Sequence, residues 1–291
     1  MTFEENGIFL RGTSGQEKTT CPKCSHTRKN KSDKCLSVNI DEGVWHCHHC
    51  GWKGSLDWKD IVKELNSQKP IEKPTPPKTK LPEEVYKWFE ERCITRAVVD
   101  AEKIGYENRW IQFPFYKDGE VVNIKSRTAD KKFRQSKNAE KCFYRFDNMK
   151  GMETIIITEG EMDALSLVQS GFMNVVSVPD GATQPNSKPS DKKFSFLLSA
   201  EEHLMNANTV ILCTDSDGAG KHLREELSRR IGREKCFRVV YPDGCKDMND
   251  VLIKHGEDEV QEIVSNAHPY PIDGVVMVKD IEDDAIDLLL K

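Results

Sequence analysis

The chain has 291 residues, 37% hydrophobic and 31% charged, with a formal net charge of −5 at neutral pH. That length accommodates two domains, and no apolar run reaches the length of a membrane span. The acidic start "MTFEENGIFL" lacks the basic flank of a secretory signal, so the ten cysteines are expected in a reducing compartment, as metal ligands or free thiols rather than disulfides.

Residues 1–66 are rich in Cys, His and Lys and are expected to form a small metal-binding domain. "CPKC" (21–24) and "CHHC" (47–50) are two Cys-x-x-Cys knuckles. Each tight turn offers two thiolates, and two turns complete a tetrahedral site, so Cys21, Cys24, Cys47 and Cys50 are the expected zinc ligands. Cys35, His46, His48 and His49 compete with them but have no partner at knuckle spacing. A domain this small has little core, and a metal would supply folding energy. Trp45 and His46 flank the second knuckle among basic residues, an arrangement suited to stacking on single-stranded bases. A second reading has Trp45 and Trp52 only covering the metal.

"SQKPIEKPTPPKTK" (67–80) is Pro- and Lys-rich without apolar periodicity and is expected to be a flexible linker. Residues 81–150 are expected to form a basic subdomain. "PEEVYKWFEERC" and "TRAVVDAEKIGY" have helical patterns, with Thr95 placed to cap the second. "WIQFPFYKDGEVVNIKSRT" alternates on both sides of Asp118-Gly119, which predicts a hairpin. Residues 123–145 then hold eight Lys/Arg against two acids. This cationic segment contrasts with the negative total and suits phosphate contacts, unless it is only a solvated face.

From residue 154 strands alternate with helices, which predicts a parallel α/β sheet over residues 151–268. Three loops at predicted strand ends carry acids. "TEGEMD" supplies Glu159, Glu161 and Asp163, "DSDGAG" supplies Asp215 and Asp217, and "KDMND" supplies Asp247 and Asp250. Alternation along an extended chain would point Asp215 and Asp217 the same way. In a parallel sheet all three loops open at one edge. Like charges that close repel by about 4 kcal/mol at an effective dielectric near 20. A divalent cation removes that cost, and Mg²⁺ takes carboxylate oxygen readily. "VPDGATQPNSKPSDKKF" (178–194) is expected to be a long loop of unassigned role, and residues 269–291 a separate C-terminal segment.

"TEGEMD", "DSDGAG" and "KDMND", in this order and spacing, resemble the Toprim fold shared by primases and topoisomerases. With the paired knuckles, the linker and the basic hairpin, nearly the whole chain resembles the primase part of phage-type primase-helicases and Twinkle-like proteins. The resemblance implies an α/β architecture: a small Cys₄ zinc ribbon, a flexible linker, an α+β basic subdomain and a Toprim parallel-sheet subdomain. It implies a DNA primase, a DNA-directed RNA polymerase that joins NTPs into short RNA primers on a single-stranded DNA template with Mg²⁺ or Mn²⁺. Glu159 would ligate metal or act as general base, Asp215 and Asp217 would hold Mg²⁺, and Asp163 and Asp247 would join the cluster. Lys125, Arg127, Lys131 and Arg134 would bind nucleotide phosphates and template. Zinc would serve structure and template recognition. The chain has no G-x-x-x-x-G-K-[ST] phosphate loop, so the expected partner is a replicative helicase, fused in a longer protein or separate, with a DNA polymerase at primer hand-off. The expected setting is the cytoplasm of a bacterial cell or phage-infected host, with no membrane partner. A Toprim nuclease uses the same carboxylates, and a non-catalytic module binding single-stranded DNA or a helicase would keep only the shape.

Overall fold

The computed structural model describes residues 3–12, 14–41, 43–55, 71–182 and 193–271. The end of the metal-binding region and start of the linker (56–70), most of the long loop (183–192) and the segment 272–291 lie outside the described residues. The chain divides into two compact units, Met1–Pro70 and Ile71–Lys291. Among the described residues no helix is long and apolar enough to cross a membrane.

The first unit is an antiparallel sheet of β1 (Gln16–Thr19), β2 (Leu36–Asn39), β3 (Val44–Cys47) and β4 (Lys53–Ser55) in that order. Alternation sends Leu36, Val38, Trp45 and Cys47 inward and leaves Ser37 and His46 on the other face. Trp45 lies directly over Gly54, where a Cβ would stand 2.3 Å from the indole, so that position admits only glycine.

The second unit has two sheets sharing one apolar core. Its first described residues, 71–80, have no helix or strand. Glu72 exchanges hydrogen bonds with Asn138 (3.1 and 2.8 Å), Lys73 pairs with Glu120, and Pro77 lies against Gly105. Helices α1 (Glu83–Glu90) and α2 (Arg96–Ala101) follow. Thr95 occupies the N-cap position of α2, yet its hydroxyl makes no cap bond and donates to Gln169 at 2.8 Å. The antiparallel sheet β5 (Gly105–Glu107), β6 (Trp110–Lys117), β7 (Glu120–Arg127) and β8 (Phe133–Gln135) contains the expected hairpin. Its turn residues Asp118 and Gly119 have φ of 54° and 77°, the left-handed pair of a two-residue hairpin. The Asp147 carboxylate accepts both of their N–H groups, at 2.8 and 2.9 Å.

The second sheet runs β10 (Val175–Ser177), β9 (Thr154–Thr158), β11 (Thr209–Cys213), β12 (Cys236–Arg238), β13 (His268–Pro269). The first four are mutually parallel, as the alternating pattern predicts, and β13 adds antiparallel to the edge. Strands β9 and β11 are buried on both faces, which explains their unbroken apolar runs. Their crossover helices are α3 (Glu161–Gln169), α4 (Phe196–Ser199), α5 (Glu201–Asn206), α6 (Gly218–Ile231), α7 (Met248–His255) and α8 (Glu257–Ser265). Because β9, β11 and β12 are parallel, the chain leaves all three at the same edge. The acidic loops are therefore neighbours.

Candidate active site and metal centre

In the first unit the knuckles are two turns. Ser25 N–H donates to the Cys21 carbonyl at 3.0 Å, and Gly51 N–H to the Cys47 carbonyl at 3.0 Å. Cys21 Sγ lies 3.8 Å from Cys50 Sγ, and Cys24 Sγ 3.7 Å from Cys47 Sγ. Four thiolates about 2.3 Å from one zinc ion stand about 3.8 Å apart, so the donor set fits that metal. Among the described residues these four are the one group of three or more Cys, His, Asp or Glu whose ligand atoms all lie within 4.8 Å of one another. Cys35 is a neighbour the spacing did not place: its Sγ is 3.9 Å from Cys24 and 3.7 Å from Cys47. His48 bonds to the Ser37 hydroxyl at 2.8 Å, and His46 stands edge-on to it at 4.9 Å. Trp45 is 6% exposed, wedged against Phe3 and Trp52. It covers the core, whereas His46 is exposed in a cross-strand row with Lys18, Ser37 and Lys53.

In the second unit the acidic loops floor a cavity of about 960 Å³. Glu159 follows β9 and accepts N–H groups from Ala182 (3.2 Å) and Asp215 (3.4 Å). Burial raises its pKa against those two donors. Asp163, in the first turn of α3, is driven well above the usual carboxylate range by burial and then by the Asp247 and Asp215 charges. Asp215 follows β11; burial, then Glu159 and Asp247, push it up to about 7. Asp247 caps α7, accepting from Asp250 N–H at 2.8 Å. Asp217 caps α6, accepting from Gly220 N–H at 2.8 Å, and does not line the cavity. Strand β11 ends at Cys213; Asp215 lines the cavity, and Asp217 caps the next helix close enough for its charge to help raise the pKa values of Glu159 and Asp215. Burial and mutual repulsion at Glu159, Asp163 and Asp215 leave this floor short of positive charge. The donor set fits a hard divalent cation, and its spread beyond a single tight cluster leaves room for the waters that Mg²⁺ keeps.

Gly220 makes this geometry possible. A Cβ there would stand 2.2 Å from the Asp215 carbonyl oxygen. Gly220→Ala must therefore push α6 off the Asp215 loop, at about 1–3 kcal/mol by analogy with overpacked cores. A urea unfolding midpoint equal to wild type would refute this packing.

The cavity's opposite wall is cationic. Lys125 and Arg127 lie two residues apart on β7, so both point to the same face. Lys125 is committed to a buried ion pair with Glu161 at 2.8 Å. Arg127 stacks on Trp88 (5.0 Å) and Phe133 (5.5 Å), and burial and then the Arg92 charge lower its pKa. Arg134 covers Trp110 at 4.2 Å, and Lys131 sits in the preceding turn with φ 62°. All four line the cavity. Arg92, which the sequence did not single out, lines it too, as does Asn249, which the sequence left between taking part in the site and only capping the helix. Arg92 lies 3.8 Å over Trp88, on the wall shared with Arg127. Asn249 donates to Asp163 at 3.3 Å through its N–H, and through its side chain to Arg92 O and Ser166 Oγ at 3.0 Å each. Neighbouring "KDMND" was the available signal for Asn249; nothing local marks Arg92, at the end of an ordinary amphipathic helix.

A Toprim domain model matches residues 153–240. The chain is 34% identical over 277 residues to the primase homolog protein of Arabidopsis thaliana, covering 87% of this chain and 81% of that protein. It is 32% identical over 292 residues to the chloroplastic/mitochondrial Twinkle homolog protein of the same plant, covering 91% of this chain but only 40% of that longer relative. The crystal structure of the primase fragment of the bacteriophage T7 primase-helicase protein is similar in fold, with a TM-score of 0.53 at 21% identity over 85% of this chain and 98% of that one. With its acid-floored sheet edge, its facing basic wall and these relatives, the chain belongs to the Twinkle and phage-type primase-helicase family, matching the primase part.

Proposed function

We propose that the chain is a DNA primase that joins NTPs into short RNA primers on single-stranded DNA, as the primase portion of a primase-helicase. The observation that carries this reading is one cavity with Glu159, Asp163, Asp215 and Asp247 on its floor and Lys125, Arg127, Lys131 and Arg134 on its wall. Nucleotidyl transfer needs that polarity: the 3′-oxygen attacks the α-phosphorus, the bond to the β-phosphate breaks and pyrophosphate leaves. Bound Mg²⁺ or Mn²⁺ supplies activation of the 3′-hydroxyl and charge neutralisation on the leaving group. Glu159, Asp215 and Asp247 would hold it, with Asp163 beneath them. The elevated pKa of Glu159 suits it to take the 3′-hydroxyl proton. Asp217 would serve by fixing α6. Arg127, Arg92, Lys131 and Arg134 would clamp triphosphate and template, while Lys125 holds Glu161 in place. Cys21, Cys24, Cys47 and Cys50 would bind zinc, and the exposed row through His46 would meet template, with Trp45 as its support. The partners are single-stranded DNA, NTPs, a helicase in the same or another chain, and a DNA polymerase at hand-off.

The test is labelled-NTP incorporation on mixed-sequence single-stranded DNA with Mg²⁺ or Mn²⁺. Short RNA products are expected. Metal-dependent DNA degradation without RNA would mean a Toprim nuclease. DNA binding equal with and without metal, and no product, would mean a binding module.

A further inference from the structure

One chain of hydrogen bonds joins the basic sheet to a floor carboxylate. Asn123 on β7 is 1% exposed and donates its side-chain amide to Gln135 Oε1 at 2.8 Å. Gln135, the last residue of β8, donates through Nε2 to the Pro179 carbonyl at 3.0 Å and to Asp180 Oδ1 at 2.8 Å. Both ends of its amide are thus used across the two sheets. The turn it grips follows β10, with Gly181 at φ 64°, and ends at Ala182. Ala182 N–H is the donor to Glu159 Oε1. Lys141 also reaches Asp180, at 2.7 Å, but this pair is solvent-exposed and stabilises little.

We propose that Gln135 is a positioning residue: it holds the 179–182 turn so that Ala182 N–H keeps the Glu159 carboxylate aimed into the cavity. This rests on the nucleotidyl-transfer reading of the site. Without the grip, Glu159 keeps one fixed donor instead of two and rotates more freely. Gln135 and the turn line the cavity beside Glu159, and residues that orient a ligand through its hydrogen-bond partners are worth about 10–100-fold in metal affinity or activity.

The test uses the full chain and Mn²⁺ as probe. Gln135→Leu is expected to weaken Mn²⁺ binding about 10-fold and to lower kcat about as much, with KM for NTP unchanged and the acid limb of the rate profile moved to higher pH. Lys141→Met should stay close to wild type in Mn²⁺ affinity. Gln135→Glu keeps the Asn123 bond but sets a carboxylate against Asp180, so it breaks only the turn side. Adding Asp180→Asn restores a donor there with reversed polarity and should recover most of the lost affinity. This pair decides the matter if Gln135→Leu unfolds. Wild-type Mn²⁺ affinity in Gln135→Glu, or loss there that Asp180→Asn does not relieve, would overturn the proposal. Failure of the wild-type chain to make primers would instead sink the primase reading, since the Mn²⁺ comparison needs no turnover.

Discussion

Asp215→Asn is expected to abolish primer synthesis while making the metal-free chain more stable at neutral pH. The loss follows from removing a ligand whose metal contributes several kcal/mol to the transition state, about a thousand-fold in rate. The gain follows from the sign of the pKa shift. Asp215 in the folded chain titrates at about 7, above the ordinary 3.8. Between those values the folded state holds a proton that the unfolded state has released. Stability is therefore lost as pH rises from about 4 to about 7, and asparagine avoids that loss. Allowing for the partial exposure of the group to water, relief of about 1 kcal/mol corresponds to a Tm rise of about 2–4 °C. The two proteins should melt alike near pH 4 and diverge by pH 7.5 in chelator, and Mn²⁺ should then raise the wild-type Tm more. An Asp215→Asn protein that melts below wild type at pH 7.5 in chelator, or that synthesises primers at limiting Mg²⁺, would defeat the assignment. The carboxylate cluster is thus expected to be a place where folding stability is given up for metal affinity.

What the sequence could reveal about this site follows from what is local in it. The parallel order of β9, β11 and β12 was legible because buried strands and crossover helices have distinct periods, and from it the meeting of Glu159, Asp163, Asp215 and Asp247 follows. Two Cys-x-x-Cys turns are likewise local, and they marked the tight sulfur cluster. The rest depends on contacts far apart in sequence. That Lys125 pairs with Glu161 cannot be seen in a run of basic residues. Nor can the stacking of Arg92 and Arg127 on Trp88, which lies in a helix whose pattern suggests only packing. Asp217 has a second task that alternation does not reveal: beyond the end of the strand it caps the next helix, while its charge still bears on Glu159 and Asp215. Trp45 was ambiguous in sequence between stacking on bases and covering the metal; its burial over Gly54 favours the cover.

Zinc removal, or Cys24→Ser, is expected to unfold the first unit and leave the second folded. Among the described residues, the buried apolar cluster of the first unit comprises Ile8, Leu36, Val38 and Trp45 besides four cysteines. A core this small does not hold a domain of this size together by itself, and binding of a metal to four thiolates supplies folding free energy directly. The second unit has its own core, with strands β9 and β11 at its centre. Chelation should therefore abolish the near-ultraviolet signal of Trp45 and Trp52, leave the melting of the second unit in place, and remove template-directed primer synthesis. Cys35 sharpens the assignment, because its sulfur packs as closely on Cys24 and Cys47 as the ligands do on one another. Cys35→Ser should keep one zinc per chain, whereas Cys24→Ser should lose it. If zinc analysis found both variants equally depleted, Cys35 would be a ligand and the two-knuckle site would be wrong. If Cys24→Ser retained its metal and its near-ultraviolet signal, the small unit would have to be held by packing that these eight buried residues do not supply.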